Sequence, residues 1–111
     1  MFNQLTNMEQ WRTLKFRSNQ APVLIVKHSN TSADSAEALQ KIITASQQQI
    51  IKLPINLIVV QENREISNNI EKDLDIKHQS PQVIVMLAGK ATYTASLGDI
   101  NPANIAQALN Q

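Results

Sequence analysis

Ser80-Pro81-Gln82-Val83-Ile84-Val85-Met86-Leu87-Ala88-Gly89-Lys90-Ala91-Thr92-Tyr93-Thr94-Ala95-Ser96 is the stretch on which the fold turns. Residues 82–87 form a near-continuous apolar run, the mark of a strand covered on both faces. Gly89 supplies a turn. Residues 90–96 then alternate, with Ala91, Tyr93 and Ala95 on one face and Thr92 and Thr94 on the other. Two strands joined by so short a turn are antiparallel neighbours. Pro81 lacks a ladder donor and marks the point where the first of them enters the sheet.

Upstream lie two more strand patterns, each preceded by a helix. Asn7 and Gln10 have the spacing of a capping box, and Met8, Trp11 and Leu14 recur at helical spacing, which predicts a helix over 8–17. Val23-Leu24-Ile25-Val26 is β-prone and apolar on both sides, giving a strand over about 22–27. The chain then turns polar. A helix starts near Ser32, with Asp34 in its first turn and a buried stripe of Ala36, Leu39, Ile42 and Ile43, extended by Ile50. Pro54 breaks the next segment, and a second apolar strand covers about 53–60. Asn63 is placed to cap a helix whose stripe is Ile66, Ile70 and Leu74. After the hairpin, Asn101-Pro102 is a cap followed by proline at the first helical position, and Ile105, Ala108 and Leu109 are the docking face of a final helix.

The order is α-β-α-β-α-β-β-α. A helical crossover makes the first two strands parallel, whereas the Gly89 turn makes the last two antiparallel. A single α/β domain over 1–111 follows, with a mixed four-stranded sheet (22–27, 53–60, 82–87, 90–96) and helices on both faces. This is a thioredoxin-like arrangement, in which the bond entering the third strand, Ser80–Pro81, is expected to be cis.

Composition removes several function classes. The chain has 111 residues, ten basic and nine acidic, for a net charge of +1. Neither nucleic acid nor an anionic membrane is favoured as a partner. Arg12, Lys15 and Arg17 read as a solvated helix face. No apolar run approaches the roughly 20 residues of a membrane span, and no signal-peptide core precedes Phe16, so a soluble, cytoplasmic protein is expected. The absence of cysteine excludes disulfides, thiolate metal sites and thiol nucleophiles together. With only two glycines there is no phosphate-cradling loop.

Two segments resemble one family. Lys27-His28-Ser29-Asn30-Thr31-Ser32-Ala33-Asp34-Ser35 is similar to the active-site segment of the YtxJ-like monothiol bacilliredoxins. Glu62-Asn63-Arg64-Glu65-Ile66-Ser67 and Ile76-Lys77-His78-Gln79-Ser80-Pro81-Gln82 resemble their helix and proline loop. The resemblance runs from Pro22 to Asn101 and is most specific over 77–82. It implies a cytoplasmic thioredoxin-fold protein of the bacterial thiol-redox and stress system that removes bacillithiol from protein cysteines. The family does this with one cysteine, typically in a Thr-Cys-Pro-Ile-Ser segment. Here that segment reads Thr31-Ser32-Ala33-Asp34-Ser35, so the catalytic position holds Ser32, and Ala33 and Asp34 depart as well.

Thiol exchange requires a thiolate. A helix N-terminus lowers a cysteine from about 8.5 into the range of roughly 3.5–7.5, because free N–H groups and the helix dipole favour an anion. The dipole contributes at most ~2 kcal/mol, too little to ionise a serine hydroxyl near neutral pH. Serine also forms no disulfide. The expectation is a chain that does not itself catalyse exchange, with Ser32 as a helix cap. Two alternatives stay open: an enzyme in which Ser32 assists a bound small thiol, and a Cys-to-Ser form of an active oxidoreductase.

The binding candidates are His28, Thr31, Ser32, His78, Ser80 and Pro81, at one end of the sheet. Ser80 is the strongest, since its backbone can pair with an extended segment. A protein partner or a low-molecular-weight thiol in the groove beside Pro81 is expected; bacillithiol is implied by the family resemblance alone, and the chain is expected as a monomer or weak homodimer. His28, His78 and Asp34 match no zinc spacing, so no metal is expected. A Ser32–His28 dyad lacks an orienting acid and an oxyanion hole.

Overall fold

The computed structural model describes residues 2–110. Five strands, not four, form one mixed sheet: β1 (Phe2–Gln4), β2 (Val23–His28), β3 (Ile55–Val59), β4 (Gln82–Leu87) and β5 (Lys90–Ser96). They lie in the order β1-β3-β2-β4-β5. The added strand is the short, exposed β1, parallel to β3 with Phe2 opposite Ile55. Its sequence carries no apolar run. It is a strand because the outer edge of β3 offers it hydrogen bonds, one continuing as Leu5 N–H to the Leu57 carbonyl at 2.9 Å.

The rest of the sheet has the expected connectivity. β2 and β3 are parallel, and β4 runs antiparallel to both β2 and β5. Four helices cover it: α1 (Met8–Arg17), α2 (Ala33–Gln47), α3 (Arg64–Leu74) and α4 (Pro102–Leu109). Alternation along each strand sends apolar residues to both faces. Leu24, Val26, Leu57 and Val83 pack with Ile42 of α2 and Ile105 of α4. On the other face, Ile25, Ile58 and Ile84 pack with Trp11 of α1 and Ile66 and Ile70 of α3.

Local chemistry fixes the helix ends. Asn7 and Gln10 form a reciprocal capping box. The Asn101 side chain accepts the amides of Ala103 and Asn104 at 2.8 and 3.2 Å. Asn63, by contrast, occupies the cap position of α3 without a side-chain hydrogen bond, and only its carbonyl accepts, from the Ser67 amide.

The stripe of α2 is rotated from the expected one. Ser35, Ala38, Ile42 and Ala45 are buried, Leu39 and Ile43 flank them, and Ala36 and Ile50 are exposed. Small side chains bring the helix close to the sheet, and their modest apolarity gives them little weight in a periodicity count. A β-bulge between Val85 and Met86 changes the face assignment in β5: Tyr93 pairs with Val85 but Ala91 with Met86. Tyr93 and Ala95 therefore pack on the α2 side and Ala91 on the α1 and α3 side. One extra residue flips every later side chain. The hairpin turns through Ala88 and Gly89, both at positive φ (53° and 73°), the geometry of a two-residue turn whose twist suits the strands.

Candidate functional site

The end of the sheet where β2 finishes and β4 begins gathers the candidates. Lys27 is paired with Gln82, so the loop leaving β2 toward Ser32 and the loop arriving at β4 through Ser80 and Pro81 lie side by side. The Ser80–Pro81 peptide bond is cis.

Ser32 is the N-cap of α2. Its backbone is extended, and its Oγ accepts the Ser35 amide at 3.2 Å. Ser35, fully buried, extends the chain of contacts: its Oγ accepts the Ser29 amide at 3.2 Å. The loop between is pinned by Gln61, whose Nε2 donates to Ser29 Oγ at 2.6 Å and Thr31 Oγ1 at 3.2 Å, while its Oε1 accepts the Asn30 amide at 3.2 Å. Thr31 is thus part of this brace. Ser29, Ser35 and Gln61 escape sequence reasoning because serine and glutamine in polar stretches look like solvated loop. The one available signal is the position of Ser35, three residues after the cap.

The two histidines reach the same end of the sheet on opposite faces. His28 follows Leu24 and Val26 in the strand alternation. Its Nδ1 is buried without a hydrogen-bond partner among the described residues, and Ser32 Oγ bonds to the Ser35 amide rather than to it. His78 sits on the α3 side, its Nδ1 3.2 Å from Lys27 Nζ and 3.3 Å from Ser67 Oγ. No three His, Cys, Asp or Glu side chains gather as metal ligands among the described residues.

Lys27 is the residue that sequence reading passed over. It ends an apolar strand, alternates with Ile25 toward α3, and is completely buried. Its ammonium donates to the Ser67 carbonyl at 3.1 Å. Burial lowers its pKa to about 8, with Glu71 opposing. His78 is also lowered, by burial first and then by the charge of Lys27. A cation at an inward position of a buried strand was the signal in the sequence.

Ser80 is half-buried, and among the described residues neither its N–H nor its C=O has a protein partner. Pro81 is buried, and its carbonyl accepts the Leu97 amide at 3.2 Å. Ser80 therefore offers an unfilled donor and acceptor at the end of a sheet. Nearby, Asp34, Ala38, Leu97 and Ile100 help line a hollow of about 210 Å³. No helix is long and apolar enough to cross a membrane among the described residues.

Comparison with known proteins agrees with this construction. A solved thioredoxin-fold protein described as a candidate oxidoreductase is 27% identical, with TM-score 0.84, over 96% of this chain and 92% of its own. Thioredoxin of Malassezia sympodialis superposes with TM-score 0.77 at 12% identity, over 100% of this chain and 90% of that one. Thioredoxin of Trypanosoma brucei brucei does so with 0.76 at 14%, over 99% and 88%. These two show the fold alone. A profile of the family described as Monothiol bacilliredoxin BrxC matches residues 3–105. With a thioredoxin fold, a helix head at Ser32 and that match over nearly its whole length, the chain belongs to the monothiol bacilliredoxin family.

Proposed function

We propose that this chain is a non-catalytic bacilliredoxin: a cytoplasmic protein that binds an extended protein segment or a low-molecular-weight thiol beside Pro81 without exchanging thiols. The observation that carries this reading is Ser32, which stands at the helix head as a cap for the Ser35 amide in a chain without cysteine. Helix termini favour anions, but no thiolate can form on this one.

The binding half of the reading is supported by Ser80. A main-chain donor and acceptor left unpaired at the end of a sheet can add an extended segment by backbone hydrogen bonds. Bacillithiol, the thiol implied by the family, would meet Ser80 and the Ser32 hydroxyl, whose proton is not committed to a protein acceptor among the described residues. When bound, it would bring a sulfur to a site where the chain has no cysteine to exchange with it. Thr31 braces the loop, and His28 and His78 flank the site from its two faces.

The test is amide shift mapping with a cysteine peptide carrying bacillithiol in a mixed disulfide. Shifts confined to 29–35, 78–82 and 97–98, with the disulfide intact at the end of the titration, are expected. Shifts absent from these segments would refute groove binding; free bacillithiol appearing above the buffer rate would refute catalytic silence.

A further inference from the structure

We propose that Lys27, Ser67 and His78 form a proton-operated latch that holds the loop before Pro81 against α3, and so sets where Ser80 stands at the groove. The consequence for the groove rests on the binding reading above; the latch itself does not.

The geometry is specific about protonation. His78 Nδ1 faces the Lys27 ammonium at 3.2 Å and the Ser67 hydroxyl at 3.3 Å. An ammonium has only donors to offer, so Nδ1 must be the bare, accepting nitrogen and the ring proton sits on Nε2. Lys27 is itself held in place by the Ser67 carbonyl at 3.1 Å. Three elements thus meet at one acceptor: β2 through Lys27, α3 through Ser67, and the loop through His78. The loop has a second tie, in which the His78 amide donates to Glu71 Oε2 at 2.6 Å.

Protonating His78 removes the acceptor and turns a donor toward a donor. It also places a second positive charge beside Lys27, with Arg64 of α3 adding repulsion and Glu71 of α3 partly offsetting it. The folded arrangement therefore favours neutral His78. As pH falls through the lowered His78 pKa, the ring leaves Nζ, and the four-residue path from His78 to Pro81 loosens with it. Lys27 keeps the Ser67 carbonyl, so the strand end stays anchored while the loop moves.

The experiment uses the full chain without ligand. Ring nitrogen shifts should report the Nε2–H tautomer of His78 near neutral pH. Protection of the His78 amide, which donates to Glu71 Oε2, should fall by about tenfold as pH falls through the His78 ring titration, which lies below the ordinary 6.5. His78→Asn keeps an accepting oxygen near the place of Nδ1 without titrating, and should flatten that fall while leaving Glu71 in place. A protection change of equal size in His78→Asn, or a wild-type loop indifferent to the ring titration, would overturn the latch. An Nδ1–H tautomer would do so without any variant. Each readout is independent of groove binding, so failure of one proposal is distinguishable from failure of the other.

Discussion

Ser32 Oγ accepts the backbone amide of Ser35 at 3.2 Å, which makes the hydroxyl at the head of α2 a structural cap. The resemblance of the Thr31–Ser35 segment implies the family's nucleophile position here. Here the oxygen satisfies one of the donors that a helix start leaves open. Ser32→Ala should therefore cost about 1 kcal/mol of stability, and Ser32→Gly a few tenths. Urea denaturation of the two variants checks this. Equal stability of Ser32→Ala and wild type would show that the cap contributes nothing.

Ser35 should matter more than Ser32. It is buried, and its Oγ is the acceptor for the buried Ser29 amide. Ser35→Ala strands that N–H, at a cost of about 1–3 kcal/mol. The loop from Ser29 to Thr31 should also lose amide protection, which hydrogen exchange would read. Ser35→Thr, which keeps an acceptor, should lose less protection at Ser29 than Ser35→Ala.

Lys27 predicts an alkaline signature. Its pKa is about 8 in the fold against 10.5 for the ordinary side chain. Between those values the unfolded chain holds more of this proton, so stability rises with pH across the window. The urea midpoint of wild type, measured relative to Lys27→Met, should climb from pH 8 to 10.5. Parallel profiles for the two proteins would remove Lys27 as a buried cation.

Asp73 predicts an acid signature of opposite origin. Its Oδ2 accepts from Trp11 Nε1 at 2.9 Å and from Lys15 Nζ at 2.7 Å, tying α3 to α1. Hydrogen bonds from Lys15 and then Trp11 hold its pKa below the ordinary 3.8. Its contribution is present above that value and is lost as pH falls through the folded pKa. Asp73→Asn keeps an acceptor for Trp11 and removes the titration, so its acid limb should be flatter than that of wild type. An unchanged limb would mean that solvent screens the pair completely.

Most of the architecture was legible because it is written in apolar periodicity and caps. The runs at Val23–Val26 and Val83–Leu87, the Asn7 and Asn101 caps and the Gly89 turn each led to the observed element. β1 was not legible, since Phe2–Gln4 becomes a strand only through the edge of β3. The faces of Ala91 and of the α2 stripe were misread for a related reason: a bulge and a close helix approach are set by tertiary contacts, not by local pattern. At the candidate site, the cap at Ser32 was legible in its helix-start signal and the loop end at Ser80 in its proline. Lys27, Ser35 and Ser67 were missed, because a single polar residue facing inward acquires its meaning from partners far along the chain.

Catalytic silence is tested most directly by incubating the wild-type protein with a bacillithiol-modified protein and measuring free bacillithiol over time. With Ser32 capping α2 and no cysteine in the chain, release should match the rate in buffer alone. Release that exceeds this rate in proportion to protein concentration would contradict that reading and make the chain an enzyme.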